Sequence, residues 1–126
     1  MPANCLAQVT ALSESGATDL NAGVILRAAD SNNYYLASMG LVGGKGASIF
    51  KKVAGAYTRI AYDANLTPVA GDVIRLEASG TTLTMKRNGT TLLTAVDASL
   101  IAGGAVGVRG AGIATTSFDN FGADAL

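Results

Sequence analysis

Hydrophobic and polar residues alternate along most of this chain, in short runs bounded by Gly, Asn, Asp and Ser. Runs rich in Val, Ile, Thr, Tyr and Leu are typical of β-strands joined by tight turns. No window shows a helical period with caps. The pattern therefore predicts an all-β protein with strands near Cys5–Leu12, Ala22–Ala29, Asn33–Met39, Ala47–Val53, Ala56–Tyr62, Val73–Ser79, Thr81–Arg87, Thr90–Val96, Ala105–Arg109 and Ile113–Gly122.

The stretch from Asp72 to Val96 predicts a three-stranded meander with two-residue turns at Ser79-Gly80 and Asn88-Gly89. Asn-Gly suits a type I′ turn because both central positions need a positive φ. In this register Leu76 faces Leu83. One face then carries Ile74, Leu76, Ala78, Leu83, Met85 and Leu92, and the other carries Arg75, Glu77, Thr82, Thr84, Lys86 and Thr91. Three exceptions fall on the polar face, either as scattered surface residues or as a contact surface: Val73, Leu93 and Ala95.

Composition narrows the class of protein. The 126 residues fit one domain spanning residues 1–126. Nine basic residues balance nine acidic ones, which argues against a nucleic-acid binder, and no apolar run reaches the ~20 residues that membrane insertion needs. The low charged fraction of 14% and the many small residues indicate a covered surface, and so a homo-oligomer or part of a larger assembly.

The chain lacks histidine and has one cysteine, Cys5. A zinc site and a catalytic thiol are therefore not expected. Calcium remains possible as a cofactor, because carboxylate and amide oxygens are its ligands. The candidates are Asp30 with Asn32, and Asp119, although each of these also suits a turn or a strand end. The glycine-rich stretch Gly40–Gly46 predicts a flexible loop and lacks the ending of a phosphate-binding loop.

Tyrosine and arginine side chains are the candidate ligand contacts. Asp30-Ser31-Asn32 predicts a hairpin turn that places Arg27 opposite Tyr35, either as a structural pair or as a ligand contact. Strand alternation puts Tyr57 and Arg59 on one face and Tyr62 on the other. A saccharide site needs exposed rings with polar groups beside them. The candidate ligand-binding residues are Arg27, Tyr34, Tyr35, Tyr57 and Arg59, and no catalytic residue is expected.

Four segments occur in an order that resembles a known superfamily. They are the run Gly23–Tyr35 (Gly-x-x-x-Arg-x-x-Asp-x-x-Asn-Tyr-Tyr), Ile49–Gly55, the pair Gly71–Leu76 and Leu83–Gly89, and Ala102–Gly107 followed by Ser117–Phe121. Together they resemble the laminin-G-like branch of the concanavalin A-like lectin/glucanase superfamily. The resemblance implies a two-sheet antiparallel jelly-roll sandwich that binds carbohydrate, serves adhesion, or belongs to an extracellular or viral protein.

Two departures from the family pattern matter. The hydrolases of the superfamily carry two glutamates around an aspartate on one strand, and Glu14 and Glu77 lie far apart here. Family domains also begin with strands ahead of the equivalent of Cys5, and an early strand lies beside the last one. Without such a strand, Ile113–Gly122 is expected to present an open edge, which another chain, a swapped segment or a compact rearrangement covers.

The sequence thus predicts a non-catalytic interaction module that binds a glycan or a protein partner. The alternative is a structural or assembly protein, such as a phage capsid decoration or tail component. The compartment is not specified by the residues, and the resemblance favours an extracellular or virion-associated location.

Overall fold

The computed structural model describes residues 1–13, 22–42, 45–67, 69, 71–110 and 116–126, and the side chains of most of them. Within these ranges the chain forms ten strands: β1 (Cys5–Ser13), β2 (Ala22–Asp30), β3 (Asn33–Val42), β4 (Lys45–Val53), β5 (Ala56–Asp63), β6 (Val73–Ser79), β7 (Thr82–Arg87), β8 (Thr90–Val96), β9 (Ala105–Gly110) and β10 (Thr116–Ala125). The all-β prediction is confirmed. No helix in this part of the chain is long and apolar enough to cross a membrane.

The strands form two antiparallel sheets of five. One has the order β10-β1-β6-β7-β8 and is called the first sheet; the other has the order β5-β4-β3-β2-β9 and is called the second sheet. Their inner faces meet in one hydrophobic core, which includes Val9, Leu76 and Met85 from the first sheet and Leu26 and Ile49 from the second. The predicted two-sheet sandwich is confirmed.

The meander has the predicted faces but not the predicted register. Ser79 pairs with Thr82, so the first turn is Gly80-Thr81 rather than Ser79-Gly80. Gly80 has φ 57°, as the first central position of a type II′ turn requires. Leu76 consequently faces Met85 instead of Leu83. A shift of two residues keeps each side chain on its face, and the predicted interior positions Ile74, Leu76, Ala78, Leu83 and Met85 are all buried.

A bulge in β8 explains two of the three exceptions to the alternation. The second turn pairs Arg87 with Thr90 as predicted, but Leu92 is an extra residue between the pairs Lys86–Thr91 and Met85–Leu93. A bulge changes which residues face the core beyond it. Leu93 and Ala95 pack against the core, so the prediction that they lie on the polar face was wrong.

A wider irregularity separates Arg27 from Tyr35. Leu26 pairs with Tyr35 and the next pair is Asp30 with Asn33, so three residues of β2 lie opposite Tyr34 alone. Arg27 has φ 51°, in the left-handed region that costs a residue with a side chain about 1 kcal/mol. The predicted pairing of Arg27 with Tyr35 was therefore wrong, because alternation alone does not reveal extra residues.

The last strand is an edge strand of the first sheet, as predicted, whereas the predicted glycine loop needs correction. β1 itself lies beside the last strand, pairing from Cys5–Ala125 to Ser13–Thr116. β1 thus covers one side of β10, and the other side of β10 forms the border of the first sheet, without a partner strand among the described residues. Most of Gly40–Gly46 belongs to strands, since β3 continues to Val42 and β4 begins at Lys45.

Candidate functional site

The outer face of the second sheet gathers aromatic and basic side chains. Phe50 and Lys52 alternate with the core residue Ile49 along β4, so both point away from the core. A bulge at Ile60 lies between the pairs Ile49–Ala61 and Phe50–Arg59. This extra residue brings Tyr62 to the same side as Arg59, whose guanidinium carbon lies 3.9 Å from the Tyr62 ring centroid. The prediction that Tyr62 lies on the opposite face was wrong.

A hollow of about 180 Å³ lies on this outer face, lined by Leu36, Phe50, Tyr57 and Arg109. Tyr57 belongs to β5 and Arg109 to β9, the two border strands of the sheet. Neighbouring strands lie roughly 4.8 Å apart, so the two border strands of a flat five-stranded sheet are separated by roughly 19 Å. The Arg109 guanidinium carbon nevertheless lies 5.9 Å from the Tyr57 ring centroid. The two side chains reach towards each other across the sheet, over Leu36 and Phe50.

Leu36 is part of the floor of the hollow because of its neighbour on β2. Gly23 has no side chain, and a Cβ at that position would lie 2.8 Å from Leu36 Cδ1 and 2.8 Å from the Ala37 carbonyl oxygen. Leu36 therefore lies flat on the sheet and is only 1% exposed. The floor stays apolar and shallow as a result.

Three aromatic rings cluster at the hollow, two of which, Phe50 and Tyr57, line it. Tyr57 makes edge-to-face contacts with Tyr34 and with Phe50, each at a centroid distance of 6.0 Å, the geometry that aromatic quadrupoles favour. The hydroxyls of Tyr34 and Tyr57 are hydrogen-bonded to each other. Burial and this hydroxyl contact raise the pKa of Tyr34 to about 12, so the Tyr34 hydroxyl stays protonated and can donate as well as accept a hydrogen bond.

Basic groups surround the rings. Lys52 Nζ lies 5.4 Å from the Tyr34 centroid and 5.0 Å from that of Tyr57, and it also donates a hydrogen bond to the Ser31 carbonyl. The Arg59 guanidinium carbon lies 5.5 Å from the Phe50 centroid. Apolar ring surface bordered by fixed hydrogen-bond donors is suited to a ligand that presents a flat apolar patch and several oxygen atoms.

The five residues predicted as ligand contacts separate into two groups. Tyr34, Tyr57 and Arg59 lie on the outer face just described, with Tyr57 44% exposed. Arg27 and Tyr35 are buried and do not reach it. Arg27 Nε donates to the Ala3 carbonyl at 2.8 Å and its Nη1 donates to the Leu100 carbonyl at 3.0 Å. Arg27 thus joins the amino-terminal segment to the loop before β9.

Tyr35 and Asp97 fix the same loop. The Tyr35 hydroxyl donates to Asp97 Oδ1 at 2.7 Å and accepts from the Leu100 amide at 3.1 Å. Burial raises the Asp97 pKa, but hydrogen bonds from Tyr35, from the Ser99 amide and from Lys51 outweigh it and hold that pKa well below the usual range. Burial, followed by the bond to Asp97, raises the pKa of Tyr35 to about 12. This network supports the fold rather than the outer face.

The described residues do not bring the predicted calcium ligands together. Asp30 Oδ1 accepts hydrogen bonds from the Asn32 amide and from Asn33 Nδ2, as in an Asx turn. The Asp119 side chain lies outside the described residues. The described residues contain no group of three or more carboxylate, thiol or imidazole side chains that could hold a metal ion. The calcium site stays a prediction.

Four residues of this face were missed by the sequence reasoning: Leu36, Phe50 and Lys52, and also Arg109. The first three alternate with core residues on β3 and β4, and that signal could have placed them on one outer face. Arg109 could not have been found this way, because its position depends on the pairing of β9 with the distant strand β2.

Comparisons with known proteins bear on the fold. No protein-family model matches the chain, and no curated protein sequence matches it. Among solved structures, the carbohydrate-binding module CBM66 from Bacillus subtilis is similar with a TM-score of 0.81 at 20% identity, over 97% of this chain and 75% of that one. CG-16, a homodimeric agglutinin from chicken liver, is similar with a TM-score of 0.71 at 13% identity, over 98% of this chain and 92% of that one.

The chain has the concanavalin A-like jelly-roll fold. A third jelly-roll match is the GH43 protein BlXynB (mutant K247S) from Bacillus licheniformis, with a TM-score of 0.66 and 18% identity. It covers 98% of this chain but only 28% of the GH43 chain. The hollow between Tyr57 and Arg109 therefore lies on an outer face of a jelly roll.

Proposed function

We propose that this protein is a non-catalytic carbohydrate-binding module, and that it binds saccharide on the outer face of the second sheet. The hollow between Tyr57 and Arg109 is the observation that carries the proposal. Sugar rings present a flat apolar patch with hydroxyl groups at the edges, and such ligands need exposed rings with donors beside them. The likeness to a carbohydrate-binding module and to an agglutinin supports the same class of ligand.

The size and shape of the hollow fit a chain end or one residue of a longer chain. Its volume of about 180 Å³ is below the roughly 300–1,000 Å³ typical of sites that enclose a drug-sized ligand. Phe50 and Leu36 provide an apolar floor, and the Tyr34–Tyr57 hydroxyls provide hydrogen-bond donors and acceptors. A shallow site of this kind predicts modest affinity for a single sugar and stronger binding to an extended or multivalent chain.

The alternative of a phage decoration or tail component has weaker support. That prediction depended on the low charge, the many small residues and an uncovered last strand, and β1 covers one side of that strand. The similar solved structures are a carbohydrate-binding module, an agglutinin and a GH43 protein. Binding saccharide is therefore the function we favour, carried by one domain.

A glycan array followed by titration calorimetry tests the proposal. The wild-type protein should bind at least one saccharide class, and Tyr57→Ala should lower that affinity at least tenfold. Thr84→Ala, on the outer face of the first sheet, is the matched control and should leave affinity unchanged. Circular dichroism confirms that both variants are folded. Binding that Tyr57→Ala leaves intact, or a folded wild-type protein that binds no glycan, would overturn the proposal.

A further inference from the structure

We propose that the saccharide is acidic, and that its carboxylate or sulfate groups lie among Lys52, Arg59 and Arg109. This inference rests on the proposed function, since it names the chemical class of ligand for the same face. It depends on a separate observation, namely how the charges of the chain are paired.

Most basic side chains elsewhere in the described structure have a carboxylate partner. These pairs are Lys51–Asp97 at 3.0 Å, Arg75–Glu77 at 2.8 Å, Lys86–Glu77 at 3.3 Å and Arg87–Asp72 at 2.9 Å. No described carboxylate oxygen lies within 4.0 Å of Lys52, Arg59 or Arg109. The chain as a whole has nine basic and nine acidic residues. The surplus of positive charge is therefore local to one face rather than a property of the whole protein.

The three cations surround the same rings. Lys52 and Arg109 both approach Tyr57, with their charged groups 5.0 and 5.9 Å from its ring centroid. Arg59 lies beside Phe50, the floor of the hollow. An anionic group at the hollow is consequently within side-chain reach of more than one cation.

Contact with an aromatic ring holds these cations without neutralising them. A cation–π contact at an exposed site is weak, and the ring carries no net charge. The positive potential over the hollow therefore remains available to a ligand. A charge-assisted hydrogen bond to a carboxylate or sulfate is stronger than the ring contact, so an acidic ligand can recruit these side chains from positions near those they already occupy.

The outer face of the first sheet provides the contrast. There Glu77 lies between Arg75 and Lys86 and pairs with both. A hollow lined by Gln8, Arg75 and Asp124 occurs on that face as well, but it contains acidic and basic groups together. The hollow near Tyr57, by contrast, combines aromatic rings with cations that form no ion pair with a described carboxylate.

Titration calorimetry with matched ligands tests the inference. The probes are tetragalacturonate, its fully methyl-esterified form, and a sulfated galactan oligosaccharide with its desulfated form. We expect at least one acidic form to bind tenfold or more tightly than its neutral partner, and binding to weaken as NaCl rises from 50 to 200 mM. The uronate and sulfate arms distinguish which anionic group is preferred.

Variants locate the effect. Arg109→Gln and Lys52→Gln should each lower affinity for the preferred acidic ligand about tenfold, the loss of one charge-assisted hydrogen bond. Lys86→Gln on the other sheet is the charge-matched control and should leave affinity within twofold of the wild type. Poly-glutamate tests whether charge alone suffices, and it should bind at least tenfold more weakly than a polyuronate of equal charge.

The outcomes separate this inference from the function on which it rests. Neutral forms that bind as well as both acidic forms overturn the acidic preference and leave the carbohydrate-binding proposal standing. Equal binding of poly-glutamate, or an equal effect of Lys86→Gln, also overturns it. If no saccharide on the glycan array or among these probes binds the folded protein, the proposed function itself fails.

Discussion

Replacing Tyr35 by Phe removes one hydroxyl from the network that fixes the loop before β9. That hydroxyl donates to Asp97 Oδ1 at 2.7 Å and accepts from the Leu100 amide at 3.1 Å. A hydrogen bond to a charged group contributes about 1.5–3 kcal/mol, and an orphaned donor costs about 1–3 kcal/mol. Because Leu100 is half-buried, water offsets part of the second cost. We expect Tyr35→Phe to lower the free energy of unfolding by about 3 kcal/mol.

Urea denaturation measures this loss, with the slope against urea unchanged and the midpoint reduced. For a chain of 126 residues, 3 kcal/mol corresponds to a fall in Tm of about 11 °C. Tyr62→Phe is the control: Tyr62 is 46% exposed, and its variant should change stability by less than about 0.5 kcal/mol. A double-mutant cycle with Asp97→Asn should show a coupling of at least about 1 kcal/mol.

If Tyr35 is a structural residue, its substitution should leave ligand binding unchanged. Affinity for saccharide should be the same in Tyr35→Phe and in the wild type, because the ring is fully buried and does not reach the outer face. A loss of stability below about 0.5 kcal/mol, or a loss of binding at unchanged stability, would refute the reasoning.

Three further predictions concern stability. The wild type should lose stability as the pH falls below about 4, the usual pKa of an unfolded aspartate. The pKa of Asp97 is depressed in the folded protein, so the unfolded chain takes up that proton first. Denaturation of Asp97→Asn between pH 5 and 2 should show a smaller loss of stability, and an equal dependence of unfolding free energy on pH in the two proteins would contradict this. Arg27→Met should lower the free energy of unfolding by about 3 kcal/mol, since it leaves the Ala3 and Leu100 carbonyls without their donors. An unfolding midpoint equal to that of the wild type would contradict this role of Arg27. Ala54 has φ 50° in the exposed turn between β4 and β5, so Ala54→Gly should raise the unfolding free energy by up to about 1 kcal/mol. A lower unfolding free energy would contradict the inference that the backbone is strained at Ala54.

Local chemistry predicts the strands of this protein well. Turn residues such as Asn88-Gly89 and the alternation along β6 and β7 follow from backbone and pleat geometry. The register of the first hairpin was wrong by two residues, yet the faces were right, because side-chain direction repeats every two residues. Errors of that size leave the core assignment intact.

Bulges mark where prediction from alternation fails. Leu92 in β8 and Ile60 in β5 are each one residue more than the partner strand provides. Such an insertion reverses the facing of every residue beyond it, and a single sequence contains no local signal that separates it from a scattered exposed residue. The positions of Leu93 and Tyr62 were mistaken for this reason.

The candidate site was only partly predictable because the position of Arg109 depends on long-range pairing. Tyr34, Tyr57 and Arg59 could be named from residue type and spacing, but Arg109 pairs with Gly23, more than 80 residues earlier in the sequence. Buried polar roles were equally hidden, since Arg27 and Tyr35 are ordinary ligand candidates until their carbonyl and carboxylate partners are known.

Mapping the bound saccharide by NMR tests the central claim most directly. In a ¹H–¹⁵N titration with a saccharide that the array identifies, the largest shifts should fall on Leu36, Phe50, Tyr57 and Arg109, the residues that line the hollow. Shifts concentrated instead on the strands β6 and β7 of the first sheet, with the hollow unaffected, would contradict the account.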